Sequence, residues 1–286
     1  MGRKNRKRGH KTGWPGRLLM LLPAGCVLFY PLYLARQLDT VEKTCAYAAW
    51  PRAFDGLKIV FLSDIHYGTL FSEDRVRQLV SRVNALEPDV ILLGGDYGED
   101  SDGAVDFFAL HPGFRARLCV LAAVGNHDRT LPESNLERIM AAMREDGVIP
   151  LVNDVWTLEK DGQTVAFAGV DDHYNGTPDL EKVRALSARA DFTVFIPHTP
   201  DILPQTLEAP GGPFYDLALC GHTHGGQVTL FGRSLHSSSD LGDRYRSGWY
   251  HEMGADILVS NGVGTSVLPV RLGARAQIHV LVMVSI

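Results

Sequence analysis

Short apolar runs recur along the chain, and most of them end abruptly in a small polar cluster. Leu57–Leu62, Val90–Leu93, Leu118–Val124, Phe192–Ile196 and Leu217–Cys220 are rich in β-branched and large aliphatic residues. Their length and near-continuous hydrophobicity predict strands buried on both faces. Between the first of them the period changes. Ser72-Glu73-Asp74 opens a predicted helix that carries Val76, Leu79, Val80, Val83 and Leu86 at helical spacing. Ser134-Asn135-Leu136-Glu137 has capping-box spacing, and the helix it opens runs to about Asp146, where Gly147 stops it. Strand, loop and helix in alternation predict a largely parallel core, with polar groups delivered at the carboxyl ends of its strands.

Beyond Val155 the texture turns toward β structure. Val155–Leu158 and Thr164–Gly169 flank Lys160-Asp161-Gly162 as a predicted hairpin, and Leu180–Ala190 reads as a short helix. Ile257–Ser260 and Ile278–Val284 are the closing strands, and no solenoid or propeller period is present. Two sheets packed face to face with helices outside each accommodate these elements.

The N-terminus is different in kind. Between Arg17 and Arg36 lie 18 uncharged, mostly apolar residues, Leu18 to Ala35. As a helix they would span about 27 Å, enough for a thin bilayer core. Pro23 and Pro31 weaken that helix, although membrane helices tolerate proline. A cleaved secretory peptide and a buried core helix compete with this reading. The expected layout is a basic tail over 1–17, a hydrophobic single-pass membrane anchor over 18–35, a linker over 36–55 and a folded domain over 56–286.

Composition and charge refine the picture. With 286 residues, 45% hydrophobic and 21% charged, the chain suits one large α/β domain. Its net charge of −5 hides seven basic and no acidic residues within 1–17; removing those seven positive charges leaves about −12 for the remainder. An acidic body argues against broad capture of nucleic acid. The basic tail against Arg36, Lys43 and Arg52 places the body outside the cytoplasm by charge bias, with a cytoplasmic face the other possibility. Cys26, Cys45, Cys119 and Cys220 show no metal or redox spacing and read as small hydrophobes.

The polar clusters carry the chemistry. In order they are Ser63-Asp64-Ile65-His66, Gly94-Gly95-Asp96, Gly125-Asn126-His127-Asp128, Pro197-His198 and Gly221-His222-Thr223-His224-Gly225-Gly226. Mixed carboxylate, imidazole and amide donors, with no thiolate among them, suit Mn²⁺, iron or Zn²⁺. Any one cluster alone occurs by chance; five in order at strand ends do not. This ordered set resembles the calcineurin-like metallophosphoesterase family over residues 57 to 286. The string Gly221-His222-Thr223-His224-Gly225-Gly226-Gln227 is similar to its bacterial, membrane-associated branch.

That resemblance implies a four-layer αββα sandwich, two mixed sheets flanked by helices, with a two-metal site between the loops of both sheets. It implies Asp64, His66 and His224 on one divalent ion, Asn126, His198 and His222 on the other, and Asp96 bridging them. Mn²⁺ is the expected metal, with iron and Zn²⁺ as alternatives. His127 is the implied catalytic histidine, with Asp128 orienting it. Two ions about 3.5–4 Å apart lower the pKa of a bridging water and clamp both oxygens of an in-line displacement. The expected activity is therefore hydrolysis of a phosphate mono-, di- or pyrophosphate ester on a small molecule or lipid. The anchor favours a membrane partner and an envelope substrate such as a phospholipid or UDP-diacylglucosamine. A non-catalytic metal-stabilised scaffold and a nuclease are the alternatives. Arg271 is a candidate phosphate contact or a plain surface arginine, and Asp172-His173 fits a loop turn as well as a site.

Overall fold

Alternation within single strands builds the architecture. Strand β1 (Leu38–Tyr47) is followed by β2 (Leu57–Leu62), in which Ile59 and Phe61 point to one face and Val60 and Leu62 to the other, all four fully buried. A side-chain period of two residues puts the pairs on opposite sides. Ile59 and Phe61 join a core shared with Phe167, Val194 and Leu219 of a second sheet. Val60 and Leu62 join another core, shared with helical residues. The computed structural model describes residues 29–110 and 113–286.

The first sheet has the order β1, β14 (Ala276–Ser285), β2, β3 (Val90–Leu93), β4 (Cys119–Ala122), β5 (Ile149–Pro150). Strands β2 to β5 are mutually parallel, and β14 runs antiparallel to β2. The second sheet has the order β12 (Gly248–Glu252), β13 (Ala255–Val259), β9 (Leu217–Cys220), β8 (Phe192–Ile196), β7 (Gln163–Gly169), β6 (Asp154–Lys160). Its centre, β13–β9–β8–β7, is parallel, with an antiparallel strand at each edge. The remaining ladder, β10 (Thr229–Leu230) with β11 (Arg233–Ser234), is a small hairpin.

Helices α1 (Glu73–Asn84), α2 (Ser101–Leu110) and α3 (Ser134–Glu145) cover the outer face of the first sheet through Val76, Leu79, Val83, Phe107 and Ile139. Helices α4 (Leu180–Ser187) and α5 (Leu203–Leu207) cover the second through Val183, Leu203 and Leu207. Three apolar interfaces separate four layers, which is the sandwich expected from the sequence. The expected hairpin is also present: Lys160 pairs with Gln163 across Asp161 and Gly162, both at positive φ (53° and 73°), as a type I′ turn requires.

Two expectations need correction. Much of the expected linker is β1, which pairs in parallel with β14 from Leu38↔Ala276 to Tyr47↔Ser285. Asp39, Thr40, Glu42, Lys43 and Thr44 make it read as a polar connector, because an edge strand is exposed and carries little apolar signal. The single-pass anchor with a body on the far side is also overturned. Among the described residues no helix is long and apolar enough to cross a membrane. The basic tail and residues 18–28 of the expected span lie outside the described residues. The described part of that span, helical over 29–34, and its exit are tied to the protein. Leu34 and Ala35 are buried, the Pro31 carbonyl accepts from Arg271 N at 3.0 Å, and the Ala35 carbonyl accepts from Arg75 Nη2 at 3.1 Å.

Cys45, Cys119 and Cys220 are free and buried. Burial pushes the Cys45 thiol up to about 11 and Cys119 up to about 12, so both stay protonated and act as small apolar groups.

Candidate metal centre

Each polar cluster follows a strand at its carboxyl end. β2, β3 and β4 of the first sheet lead to Asp64 and His66, to Asp96, and to Asn126 and His127; β8 and β9 of the second lead to His198, and to His222 and His224. Asp64, His66, Asp96, His222 and His224 all hold positive φ, between 50° and 69°. Non-glycine residues there cost backbone energy, and such strain concentrates where the surroundings over-determine a functional geometry. The flanking glycines leave no room for a side chain. A Cβ on Gly125 would lie 2.2 Å from Asp96 Oδ1, and one on Gly221 would lie 2.5 Å from Asp64 Oδ2.

The seven candidate ligands meet in one place. His66 Nε2 lies 3.1 Å from His224 Nε2, and His224 Nε2 lies 3.7 Å from Asp64 Oδ1. Asp96 Oδ2 stands between two groups, 3.6 Å from His66 Nε2 and 3.3 Å from His198 Nε2. His222 Nδ1 is 2.9 Å from Asn126 Oδ1. Asp64–His66–His224 and Asp96–His198–His222 each gather their donor atoms within 4.8 Å, and His66–Asp96–His127 forms a third such group. Two nitrogens bound to one ion at about 2.1 Å are separated by about 3.0–3.4 Å, so the His66–His224 spacing suits a shared cation. His198 Nε2 is buried, makes no well-aligned hydrogen bond and faces only the Asp96 carboxylate, a geometry that suits a ligand atom for an ion beside that carboxylate. The residues therefore fit a divalent metal pair.

The outer ring nitrogens fix which inner ones are free. A carbonyl oxygen only accepts, so His198 Nδ1 donates to Gly94 O (2.8 Å) and His222 Nε2 donates to Ser238 O (3.1 Å). In the neutral rings that leaves His198 Nε2 and His222 Nδ1 with inward lone pairs. Burial holds His66, His222 and His224 below the usual histidine range, favouring the neutral imidazole that a metal requires. Burial alone would raise the Asp96 carboxyl, but the His198, His66 and His127 rings outweigh it and hold it well below the usual carboxylate range. For His198 burial lowers the pKa, yet the facing Asp96 carboxylate raises it overall. An ion beside Asp96 would take the place of that proton.

His127 and Asp128 part company. His127 is half-buried; its Nδ1 donates to Glu99 O at 2.8 Å, and its ring stands edge-on to His66 at 4.7 Å. Asp128 does not orient it. Its carboxylate is fully buried and accepts from the backbone N–H groups of Asp96 (2.7 Å), Gly125 (2.8 Å) and Tyr97 (2.9 Å). With those bonds made it tethers the β3 and β4 loops together, and the catalytic role expected for it is withdrawn.

Arg271 likewise cannot reach a substrate. It is fully buried and donates to Gly264 O (2.6 Å), Asn261 O (2.7 Å) and Ala274 O (3.1 Å) behind His224. Asp172 makes the loop turn, its Oδ2 accepting from Tyr174 N (3.0 Å) and Asn175 N (2.6 Å). That turn has a use the sequence did not reveal. Asn175 Nδ2 donates to Asn126 O (2.9 Å), and the Tyr174 ring lies 5.2 Å from the His222 ring. Glu99 and Ser238 were equally invisible, since they act through backbone carbonyls and no residue type signals that; Gly94 stood in the second cluster, but its carbonyl role did not show. Ser63 was visible in the first cluster, and its hydroxyl donates to Asp64 Oδ2 at 2.6 Å.

Fold and site together define a metal-dependent phosphoesterase architecture. The family model for calcineurin-like phosphoesterases matches residues 57–226, and the chain belongs to that family. It is similar to the uncharacterized metallophosphoesterase YkuE of Bacillus subtilis, 30% identical over 272 residues that cover 92% of each chain. It is 30% identical over 233 residues to the phosphodiesterase YaeI of Escherichia coli, covering 79% of this chain and 82% of that one. A transmembrane protein with metallophosphoesterase domain of Bos taurus is 32% identical over 249 residues, 82% of this chain but 54% of the relative. Among solved structures, a dimetal phosphatase from Danio rerio aligns with 75% of this chain and 90% of its own at a TM-score of 0.44 and 11% identity.

Proposed function

We propose that the protein hydrolyses phosphate mono- or diesters with the help of two divalent cations. Asp64, His66 and His224 would hold one ion, Asn126, His198 and His222 the other, and Asp96 would stand between them. Mn²⁺ fits the mixed oxygen and imidazole donors, with iron or Zn²⁺ as alternatives. When bound, such a pair supplies concentrated positive charge for the phosphoryl oxygens and for an attacking water. The observation that carries the reading is the convergence of Asp64, Asp96 and four histidines from both sheets, with His198 Nε2 buried against the Asp96 carboxylate.

The chain's own groups then divide the remaining work. Glu99 O commits Nδ1 of His127 as a donor, which leaves Nε2 to exchange a proton. As the water oxygen bonds to phosphorus and the ester P–O bond breaks, His127 gives its Nε2 proton to the departing oxygen, and the proton that the water releases returns to Nε2. Asn175 and Tyr174 hold Asn126 and His222 in place. Asp128 keeps Asp96 in register from behind. The phospholipid and UDP-diacylglucosamine substrates followed from the anchor and lose their ground with it.

The test is turnover of bis(4-nitrophenyl) phosphate and 4-nitrophenyl phosphate by Mn²⁺-loaded protein, with metal content measured in parallel. Wild type is expected to turn over at least one of them and to stop on chelation. Asp96→Asn is expected to lose one or both ions and its activity while remaining folded. Bound metal without turnover on any ester would favour the scaffold alternative. A full complement of metal in Asp96→Asn would refute the bridging position.

A further inference from the structure

The cavity that opens on Asp96 and His127 is far larger than a phosphate group. It encloses about 630 Å³, and its far wall is apolar, formed with Leu235, Val267, Leu268 and Val270. Cavities of this size hold organic ligands of some tens of atoms. Leu235, Val267 and Leu268 are 66%, 89% and 58% exposed, a concentration of bare apolar surface beside a polar centre. Val267 moreover holds a φ of 63°, a conformation that β-branched residues avoid. Among the described residues that line the cavity there is no lysine and no arginine.

Resting on the phosphoesterase reading above, we infer that this wall receives the organic group of the ester, and that the preferred substrate is a low-charge phosphate ester of an apolar aryl or alkyl alcohol. Continuity decides the occupant, because the wall and the candidate metal centre line one cavity. A group esterified to a phosphate at Asp96 and His127 has this wall to lie against. Nucleotides and polyphosphates would bring further negative charge, which proteins meet with arginine and lysine forks. The wall offers none; it offers only area, and area rewards each buried methylene.

The experiment uses Mn²⁺-loaded protein and the methyl, butyl and hexyl esters of 4-nitrophenyl phosphate, which share one leaving group. KM is expected to fall about tenfold from methyl to butyl, and further with hexyl. Thymidine 5′-(4-nitrophenyl) phosphate, with the same single charge but a polar sugar and base in place of the alkyl chain, is expected to show a higher KM than the butyl ester. Calorimetric binding of methylphosphonate and hexylphosphonate reads the wall without turnover, and hexylphosphonate is expected to bind at least about tenfold more tightly. In the double variant Val267→Asn with Leu268→Ser that preference is expected to disappear. Both positions are exposed, and asparagine tolerates the positive φ, so the variant folds. Equal KM values together with equal phosphonate affinities would overturn the inference even where turnover is intact, as would a lower KM for the thymidine ester. Retained hexylphosphonate preference without any turnover would uphold the wall and overturn the phosphoesterase reading instead.

Discussion

His127 faces the cavity while its neighbour Asp128 is fully enclosed, and substitutions at the two positions separate chemistry from support. His127→Ala removes a proton donor that stands outside the seven candidate ligands. Its kcat is expected to fall by about 10²–10³-fold with metal content unchanged, checked by steady-state kinetics beside metal analysis. Asp128→Asn replaces one carboxylate oxygen by an NH₂ that must face a backbone N–H of Asp96, Gly125 or Tyr97. Expected there is a stability loss of about 1–3 kcal/mol in denaturant unfolding, with weaker metal retention because the Asp96 loop is loosened. An Asp128→Asn protein as stable as wild type but catalytically dead would restore the orienting role that the geometry denies it. Gly125→Ala belongs with the second class, since its new methyl group would collide with Asp96 Oδ1.

Among the elements, the buried parallel strands were legible, and of the edges β6 was, through its hairpin turn, while β1 and β12 were not. β2, β3, β4, β8 and β9 are covered on both faces, so their apolar residues run together in the chain and end where the backbone turns into a polar loop. β1 was lost because its side chains face water along an edge, and α2 because its buried apolar face is only Ala104, Phe107 and Phe108. The candidate ligands were legible because metal donors must be particular side chains. The support roles of Asp128, Arg271 and Asn175 were not, because these side chains act on backbone groups brought near only by tertiary folding. β14 carries a further consequence. Burial moves His279 on that strand from the ordinary 6.5 down to about 4, with Ser260 Oγ 3.1 Å from its Nε2. Above pH 6.5 both folded and unfolded states hold it neutral. As the pH falls toward 4 the unfolded chain takes up the proton first, so stability declines by up to about 3 kcal/mol. His279→Gln can keep the contact with Ser260 and is expected to lose that part of the decline. Superimposable stability–pH curves for variant and wild type between pH 7 and 4 would show that the buried histidine does not carry it.

At the scale of the whole molecule the candidate centre sits on the seam between the two sheets. Asp64, His66, Asp96 and Asn126 come from loops of the first sheet, and His198, His222 and His224 from loops of the second. Each ion held as proposed would draw donors from both halves, beside seam hydrogen bonds such as His222 N to Asp64 Oδ1 (2.8 Å) and Val263 N to Ser63 O (3.0 Å). Cations bound this way act on the folded state alone, because the unfolded chain scatters the donors over some 160 positions. At a hundredfold excess over its dissociation constant each ion would add about 2.7 kcal/mol, and for a chain of this size each kcal/mol raises Tm by about 2–4 °C. Chelation is therefore expected to lower Tm by roughly 5–10 °C per site, and added Mn²⁺ to restore it in a concentration-dependent way. Asp96→Asn should blunt the response, and His127→Ala should leave it whole. A Tm indifferent to chelator, with metal demonstrably removed, would mean that the sheets are held by their apolar interface alone and that the seam is not clamped by ions.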